Sequence, residues 1–405
     1  PLGRGEALAA FYLTEPNAGS DAAGITTTAV WDDAINKYRI NGKKQWTTNG
    51  SIAKVITVMA KVDGKVTAFL VSPDMKGFEI AAKALDKVGM RGSTTSNINY
   101  NDVEVPKENI LGPVGGGLRV CLTVLDYGRT TFGATCLGVA KKCLELSLAH
   151  AKTRIQFKRP LASFQLVKEK LAKMAAYTYA IEATTYLTAG LIDNGQEDVM
   201  LESAILKVFS SDSSWVTLYD TMQIFGGRSL FTDKPLERMM RDARLNMIGE
   251  GSNEVLRVFI AVVGLKGLGE KLLKVKNKPS KEGILSALKP FLPGIDIKAD
   301  KYQFALDKLL KEARKFHRAL IQTAVKYGEG VVEKQLILNR IAEMAIALYT
   351  KSAVISKLQI DPHHDEEGLL YLDYASKTFD ANYKELFSLS DQAIEHTADK
   401  IIGKL

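Results

Sequence analysis

Ile248-Gly249-Glu250-Gly251-Ser252-Asn253-Glu254 sets a carboxylate between two glycines, immediately before the apolar run Val255 to Val263. With no side chain on either neighbour, something flat can approach Glu250 closely. A glutamate near a helix start also has a plainer use, because it favours the positive end of the helix dipole. The surroundings decide between the two. Upstream, Gln223-Ile224-Phe225-Gly226-Gly227 closes a periodic apolar segment in a glycine turn, and Pro235-Leu236-Glu237-Arg238-Met239-Met240-Arg241-Asp242 adds a charged run.

The chain has 405 residues, 46% hydrophobic and 25% charged, an ordinary globular composition with length for two or three cores. This excludes a disordered protein. The net charge of +8 suits acidic partners, whether a polyphosphate-bearing substrate, an anionic membrane or nucleic acid, and charge alone does not choose among them. No apolar run approaches the roughly 20 residues that span a bilayer, and no charged-then-apolar signal segment opens the sequence. Cys121, Cys136 and Cys143 lie in or near one predicted helix without paired spacing, which argues for reduced, buried thiols against a disulfide framework or a zinc site.

From Ala9 to Asn101 the pattern is β: Ile25 to Trp31, Tyr38 to Ile40, Val55 to Val62 and Val66 to Val71 alternate with Gly, Asn and Asp. Asp63-Gly64 predicts a tight hairpin, since a type I′ turn needs positive φ at both central positions. Such spacing indicates a small antiparallel barrel or sandwich. After Gly117 the period becomes helical, over Leu118 to Lys152, Leu161 to Asp193 and Val199 to Phe225. Lys266, Lys271, Lys274, Lys276, Lys278 and Lys281, with Pro279, Pro290 and Pro293, read as a basic linker. Its lysines have no interleaved aromatics, which disfavours nucleic acid and leaves a solvated loop or a peripheral membrane contact. Beyond it Tyr302 to Tyr327 carries Leu306, Leu309, Ala313, Phe316, Leu320 and Ala324 on one stripe, opening a C-terminal helical domain. The expected organisation is α+β multidomain: a β domain over 1–112, a helical bundle over 113–268, the linker over 269–298 and the extra helical domain over 299–405.

Two further blocks make the reading specific. They are Leu13-Thr14-Glu15-Pro16-Asn17-Ala18-Gly19-Ser20-Asp21 and Lys44-Gln45-Trp46-Thr47-Thr48-Asn49-Gly50. With Arg154-Ile155-Gln156-Phe157 and the Glu250 turn, they resemble in content and order the acyl-CoA dehydrogenase family, nearest to its very-long-chain branch because of the helical region that continues to Leu405. The resemblance runs from about Ala9 to Leu268. It implies FAD as cofactor, a fatty acyl-CoA as substrate, an electron-transfer flavoprotein as acceptor and a homodimer or higher assembly. It also implies the cytoplasm of a bacterium or a mitochondrial matrix, where contact with the inner membrane would be peripheral. The family's first helical domain, which supplies part of the acyl pocket wall, would precede Ala9; because Pro1 is not an initiator, a fragment is the expectation.

Residue by residue, the resemblance makes Glu250 the catalytic base. Some families of this superfold place the base on the helix of Asp126-Tyr127-Gly128-Arg129 instead; Gly128 stands at that position here, and Asp126 remains the competing acid. Phe11, Leu13, Thr14, Trp46 and Thr48 match the surroundings of the flavin ring. Arg154, Gln156, Phe157, Gln223 and Gly227 match segments that grip the adenosine diphosphate end of a neighbouring subunit's FAD, and Ser252 and Glu254 match flavin contacts after the base. Ser20, Arg129 and Gly251 match positions near the acyl-CoA. Gly249 departs from the aromatic residue usual before the base. The run Gly112-Pro113-Val114-Gly115-Gly116-Gly117 lacks the Lys and Ser/Thr of a phosphate loop and reads as a helix entry. His363-His364 reads as a solvated pair, and no metal is assigned.

Overall fold

The computed structural model describes residues 1–277 and 300–404. The chain divides into two compact units, one of Pro1–Gly128 with Arg241–Leu245, the other of Arg129–Met240 with Asn246–Leu405.

The first unit is built on eight strands: β1 (Ala9–Tyr12), β2 (Thr28–Asp32), β3 (Lys37–Thr48), β4 (Val55–Val62), β5 (Lys65–Val71), β6 (Phe78–Ala82), β7 (Thr95–Val105) and β8 (Ile110–Leu111). The hairpin between β4 and β5 forms at Asp63 (φ 48°) and Gly64 (φ 78°), as the turn chemistry requires. The expected antiparallel barrel or sandwich is corrected to a mixed sheet of order β6-β7-β3-β2-β4-β5-β8, which does not close among the described residues. Both β1 and β2 pair with β4 in parallel. The cause is the connection between β1 and β2, long enough to return the chain so that it runs twice in one direction along the same edge. Turn signals mark antiparallel neighbours only, so the sequence does not display this pairing. Ile40, Ile56, Val58, Phe69, Ile98 and Val103 fill the core.

That connection is held from inside. The Glu15 carboxylate accepts from Lys44 Nζ at 2.8 Å, from the Thr26 backbone N–H at 2.6 Å and hydroxyl at 2.7 Å, and from the Thr27 N–H at 3.1 Å. Lys44 also donates to the Leu13 carbonyl at 3.0 Å. Burial pushes the Glu15 carboxyl up, but the hydrogen bonds from Lys44, Thr27 and Thr26 outweigh it and leave the pKa at about 2. The segment 241–245 joins this unit where the Met90 N–H donates to Asp242 Oδ1 at 2.6 Å and Arg241 Nη1 to the Val88 carbonyl at 3.0 Å. Gly89 is required there, since a Cβ would lie 2.0 Å from the Arg241 carbonyl oxygen. The glycine-rich run also packs closely: Gly115 N–H donates to Thr67 Oγ1 at 2.9 Å, and a Cβ on Gly117 would meet the Thr67 backbone at 2.6 Å. It is a helix entry folded onto β5.

Nine helices follow among the described residues: α1 (Gly117–Thr153), α2 (Gln165–Asp193), α3 (Met200–Phe225), α4 (Leu236–Ala243), α5 (Asn253–Asn277), α6 (Gln303–Tyr327), α7 (Gln335–Ile360), α8 (Asp365–Lys384) and α9 (Ser390–Ile402). Helix α5 continues past Leu268 into the stretch read as a linker, carrying Lys266, Lys271, Lys274 and Lys276; Lys278 and Lys281 lie outside the described residues. In the second unit one core joins both helical regions, with Ile181, Val208, Leu256 and Ile260 packed among Leu338, Ile341, Val354 and Phe379. The stripe expected on α6 is in place, with Leu306, Leu309 and Leu320 buried in this core. All three cysteines are buried and none is in a disulfide.

Removing one member of a buried ion pair strands the other charge. Glu15→Ala should therefore lower stability by about 3–5 kcal/mol, and Asp32→Ala, whose ion pair with Arg39 is more solvated, by far less. Urea denaturation followed by tryptophan fluorescence reads the difference. Because the folded carboxyl titrates at about 2, below its unfolded value, the stability it contributes is present above the ordinary carboxylate range and disappears as pH falls towards that point. The Glu15→Ala protein should lack this acid limb.

Candidate functional site

Between α4 and α5 the backbone enters the left-handed region twice in succession, at Glu250 (φ 59°) and Gly251 (φ 90°). For the glutamate this costs about 1 kcal/mol, so neighbouring groups must hold the conformation. Two buried cations do so. Arg129 Nε on α1 donates to the Glu250 carbonyl at 3.2 Å, and Lys207 Nζ on α3 donates to the Gly251 carbonyl at 2.7 Å. Arg129 is 5% exposed and Lys207 is 0% exposed, so both hydrogen bonds are shielded from competing water. Lys207 also donates to Asn253 Oδ1 at 2.8 Å, while Asn253 Nδ2 donates to Ser211 Oγ at 3.0 Å and Asp212 Oδ1 at 2.7 Å. A Cβ on Gly251 would press Leu256 at 3.1 Å in a backbone conformation that already favours glycine. Ser252 Oγ accepts the Val255 N–H at 3.4 Å, and Glu254 lies in the first turn of α5, where an acid suits the helix dipole.

The turn presents Glu250 to solvent while the protein around its carboxyl limits hydration. Burial raises the Glu250 pKa, and the nearby charges of Arg129 and then Lys207 draw it back. Two side-chain cations thus oppose burial at this carboxyl. Burial lowers the Lys207 pKa to about 8, with Asp212 supporting the ammonium and Arg129 opposing it. Arg129, matched by resemblance to a position near the thioester, has its guanidinium on the turn itself. Lys207 and Asn253 were missed by sequence reasoning. The available signal was a lone lysine inside Ile205-Leu206-Lys207-Val208-Phe209, where every neighbour is apolar.

In the sheet unit, the Gln45 N–H donates to the Thr14 carbonyl at 3.0 Å and Lys44 reaches the Leu13 carbonyl, so Leu13 and Thr14 run beside Gln45 and Trp46. A register irregularity between Lys44 and Thr47 places Trp46 at φ 57°, 64% exposed, with its backbone N–H donating to Asn97 Oδ1 at 3.2 Å. Such a bulge re-aims a side chain out of the strand pattern. Phe11, Leu13 and Thr14 are half-buried and Thr48 is exposed, giving an apolar and hydroxyl-bearing rim beside an open indole. Ser20 is exposed just before the turn Ala22–Gly24. Asp126 is half-buried on α1 in this unit.

In the helical unit, Arg154 precedes a small hairpin, Ile155–Gln156 paired with Arg159–Pro160, whose turn residues Phe157 (φ 47°) and Lys158 (φ 63°) are both left-handed. Phe157 is 87% exposed. Gln156 Nε2 donates to the Ile155 carbonyl at 2.7 Å, and Gln223 Nε2 to Tyr219 at 3.0 Å. Gly226 (φ 61°) and Gly227 have open space where a Cβ would stand. His150 stacks on Phe225 with ring centroids 4.1 Å apart, and its pKa is lowered by burial and then by the charges of Arg154, Arg228 and Lys234. Sequence reasoning did not single out this histidine. The charges of Arg154, Arg228 and Lys234 near an unobstructed glycine turn fit the diphosphate of a dinucleotide. The rim around Trp46 likewise fits an aromatic ring system.

The family model for the acyl-CoA dehydrogenase middle domain matches residues 10–103, that for the acyl-CoA dehydrogenase C-terminal domain matches 115–265, and that for the ACAD9/ACADV C-terminal domain matches 301–398. The chain is 33% identical over 384 residues to the mitochondrial very long-chain specific acyl-CoA dehydrogenase of Bos taurus, covering 88% of this chain and 58% of that protein. It is 34% identical over 380 residues to a probable acyl-CoA dehydrogenase of Bacillus subtilis, covering 88% and 63%. It therefore spans less than two thirds of the length of these relatives. Among solved structures, the acyl-CoA dehydrogenase complexed with FAD from Bacillus anthracis is similar at a TM-score of 0.82 and 31% identity, over 95% of this chain and 69% of that one. The chain belongs to the acyl-CoA dehydrogenase family.

Proposed function

We propose that the protein carries out FAD-dependent α,β-dehydrogenation of a fatty acyl-CoA to the trans-2-enoyl-CoA, as a step of fatty acid β-oxidation, with Glu250 as base. The observation that carries this reading is a glutamate on a left-handed turn whose two carbonyls are held by buried cations, with the surrounding protein pushing its carboxyl upward. A hydrogen α to a thioester carbonyl is weakly acidic, so its removal needs a base fixed in position and tuned upward from the ordinary carboxylate range. Glu250 takes that proton, and the electron pair left on the α carbon forms the double bond as hydride leaves the β carbon. Bound FAD would supply the hydride acceptor.

Phe11, Leu13 and Trp46 would pack beside the flavin ring and exclude water, while Thr14 and Thr48 would offer hydroxyls to its polar edge. Ser252 and Glu254 would add contacts beyond the base. Arg154, Gln156, Phe157, Gln223 and Gly227 would hold the adenosine diphosphate end, on FAD bound mainly by a second subunit. Ser20 and Gly251 would border the acyl-CoA, with Arg129 acting through the turn it holds. An electron-transfer flavoprotein would take the electrons onward. The relatives include mitochondrial and bacterial proteins, which supports a matrix or bacterial cytoplasmic setting; no helix of the described residues is long and apolar enough to cross a membrane.

Anaerobic rapid mixing of the FAD-loaded protein with acyl-CoA tests the base. Glu250→Gln preserves size but cannot take the proton, and should slow flavin reduction about 10²- to 10⁴-fold while FAD and acyl-CoA still bind. Reduction within a few-fold of the parent would move the role to Asp126. If the parent binds FAD but reduces no acyl-CoA, a scaffold function on the same fold is favoured, and peroxide release in air would identify an oxidase.

The same substitution has a thermodynamic signature. A carboxyl raised above its unfolded pKa contributes stability that is complete below the unfolded value and is lost as pH rises through the folded one. Glu250→Gln should accordingly need more urea to unfold than the parent at neutral pH, with the gap closing in acid. Greater stability of the parent at neutral pH would contradict the raised pKa.

Arg154→Ala should weaken FAD retention, read as flavin content after gel filtration, with little change in the unfolding midpoint, because its side chain is exposed. A monomer that holds FAD entirely within one chain would overturn the shared site.

A further inference from the structure

Glu343 on α7 belongs to the C-terminal helices, far along the sequence from the Glu250 turn, yet an unbroken series of short polar contacts connects them. Glu343 Oε1 accepts from Arg257 Nε at 2.6 Å; Arg257 Nη2 donates to Asp212 Oδ2 at 2.7 Å; the other oxygen of Asp212 accepts from Asn253 Nδ2 at 2.7 Å. Asn253 Oδ1 then accepts from Lys207 Nζ at 2.8 Å, and the same ammonium holds the Gly251 carbonyl at 2.7 Å. Every member lies in the helical unit. Tyr177, Phe209 and Tyr371 line a cavity of about 220 Å³ together with Asp212, Arg257 and Glu343. Aromatic walls reduce water's competition for the charged contacts.

The arrangement has a directional logic. Asp212 serves two donors with its two oxygens, so its rotamer is fixed from both sides. Asn253 is 2% exposed and uses its oxygen towards Lys207 and its amide towards Ser211 and Asp212, which fixes its orientation in turn. Lys207 is the last element, and its donors fall on the backbone of the residue after Glu250. Without Glu343, Arg257 would keep only Asp212 and would be free to draw that carboxylate away from Asn253.

We infer that Lys207 is a positioning residue for the Glu250–Gly251 turn and that the Glu343–Arg257–Asp212–Asn253 relay makes the C-terminal helices part of the brace that keeps Glu250 in its left-handed conformation. The inference rests on the reading of Glu250 as base only for its kinetic consequence. The mechanical claim stands on its own, because coupling through a contiguous network requires that a change at one end alter the other.

Hydrogen exchange on the full chain, measured by mass spectrometry with and without added FAD, tests it. Glu343→Gln removes the distant charge without touching the turn, and should accelerate exchange of the Gly249–Asn253 amides roughly tenfold through more frequent local opening. Lys357→Gln is the control: it breaks a different ion pair between the same α7 helix and α2, that of Lys357 with Glu182, and should leave those amides unchanged. In the FAD-loaded protein, Glu343→Gln should lower the rate of flavin reduction while the concentration of acyl-CoA giving half-maximal rate stays within a few-fold. Lys207→Met should loosen the turn further, and its failure to fold would leave the Glu343 comparison decisive. Unchanged exchange in Glu343→Gln, or equal acceleration in both helix variants, overturns the relay. Accelerated exchange in a protein whose reduction rate is insensitive to Glu250→Gln would keep the brace and reject the base.

Discussion

A lysine ammonium with no solvent contact, bonded to the carbonyl of Gly251, is the constraint on which the rest of the site depends. Desolvating an ammonium is costly, and the burial that lowers Lys207 to about 8 reports that cost. It is offset because the ammonium's acceptors are fixed and polar: a peptide carbonyl, an asparagine oxygen, and the nearby charge of Asp212. The site therefore draws its order from α3. A strained turn can persist only where surrounding groups over-determine it, and here those groups are themselves locked by packing in the helical core.

The sheet unit solves a similar problem by the same means. Glu15 and Lys44 are each nearly without solvent contact, and together they tie the long connection after β1 to β3 next to Trp46. A carboxylate with four donors and an ammonium with a carboxylate and a carbonyl leave little freedom in that loop. The parallel pairing of β1 and β2 with β4 follows from where this connection is held. A similar buried pair, Lys351 with Glu312, links α7 to α6, so each region of the molecule contains an ion pair that penalises misplacement more than it adds stability.

Much of this was legible in the residues. Helical period gave α3 and α6 within a residue at each end and the C-terminal end of α2, and Asp63-Gly64 gave the β4–β5 hairpin, because both signals are local. The mixed character of the sheet was not legible, since parallel partners are chosen by a long connection whose anchoring by Glu15 depends on contacts far apart in sequence. For the same reason Glu250 could be singled out as a candidate while Lys207, Asn253 and Asp212 could not: a glycine-flanked acid stands out in its own neighbourhood, whereas a buried lysine is defined by what it touches across the fold. The extension of α5 to Asn277 escaped because a lysine-rich composition resembles a linker even where the backbone remains helical.

The placement of the cations also accounts for how the proposed base keeps a useful pKa. A direct ion pair would bring its carboxylate down, as Lys44 and its fellow donors do to Glu15, whose pKa falls to about 2. Lys207 instead spends its hydrogen bonds on the Gly251 carbonyl and Asn253, and Arg129 Nε is directed at the Glu250 carbonyl. Both cations act on the carboxyl as nearby charge, which falls short of cancelling burial, so the net direction remains upward. The same two residues thus fix the backbone of Glu250 and moderate its acidity. A lysine or arginine moved from the carbonyls to the carboxylate would keep the turn charged and crowded, yet would remove the basicity that the proposed role requires.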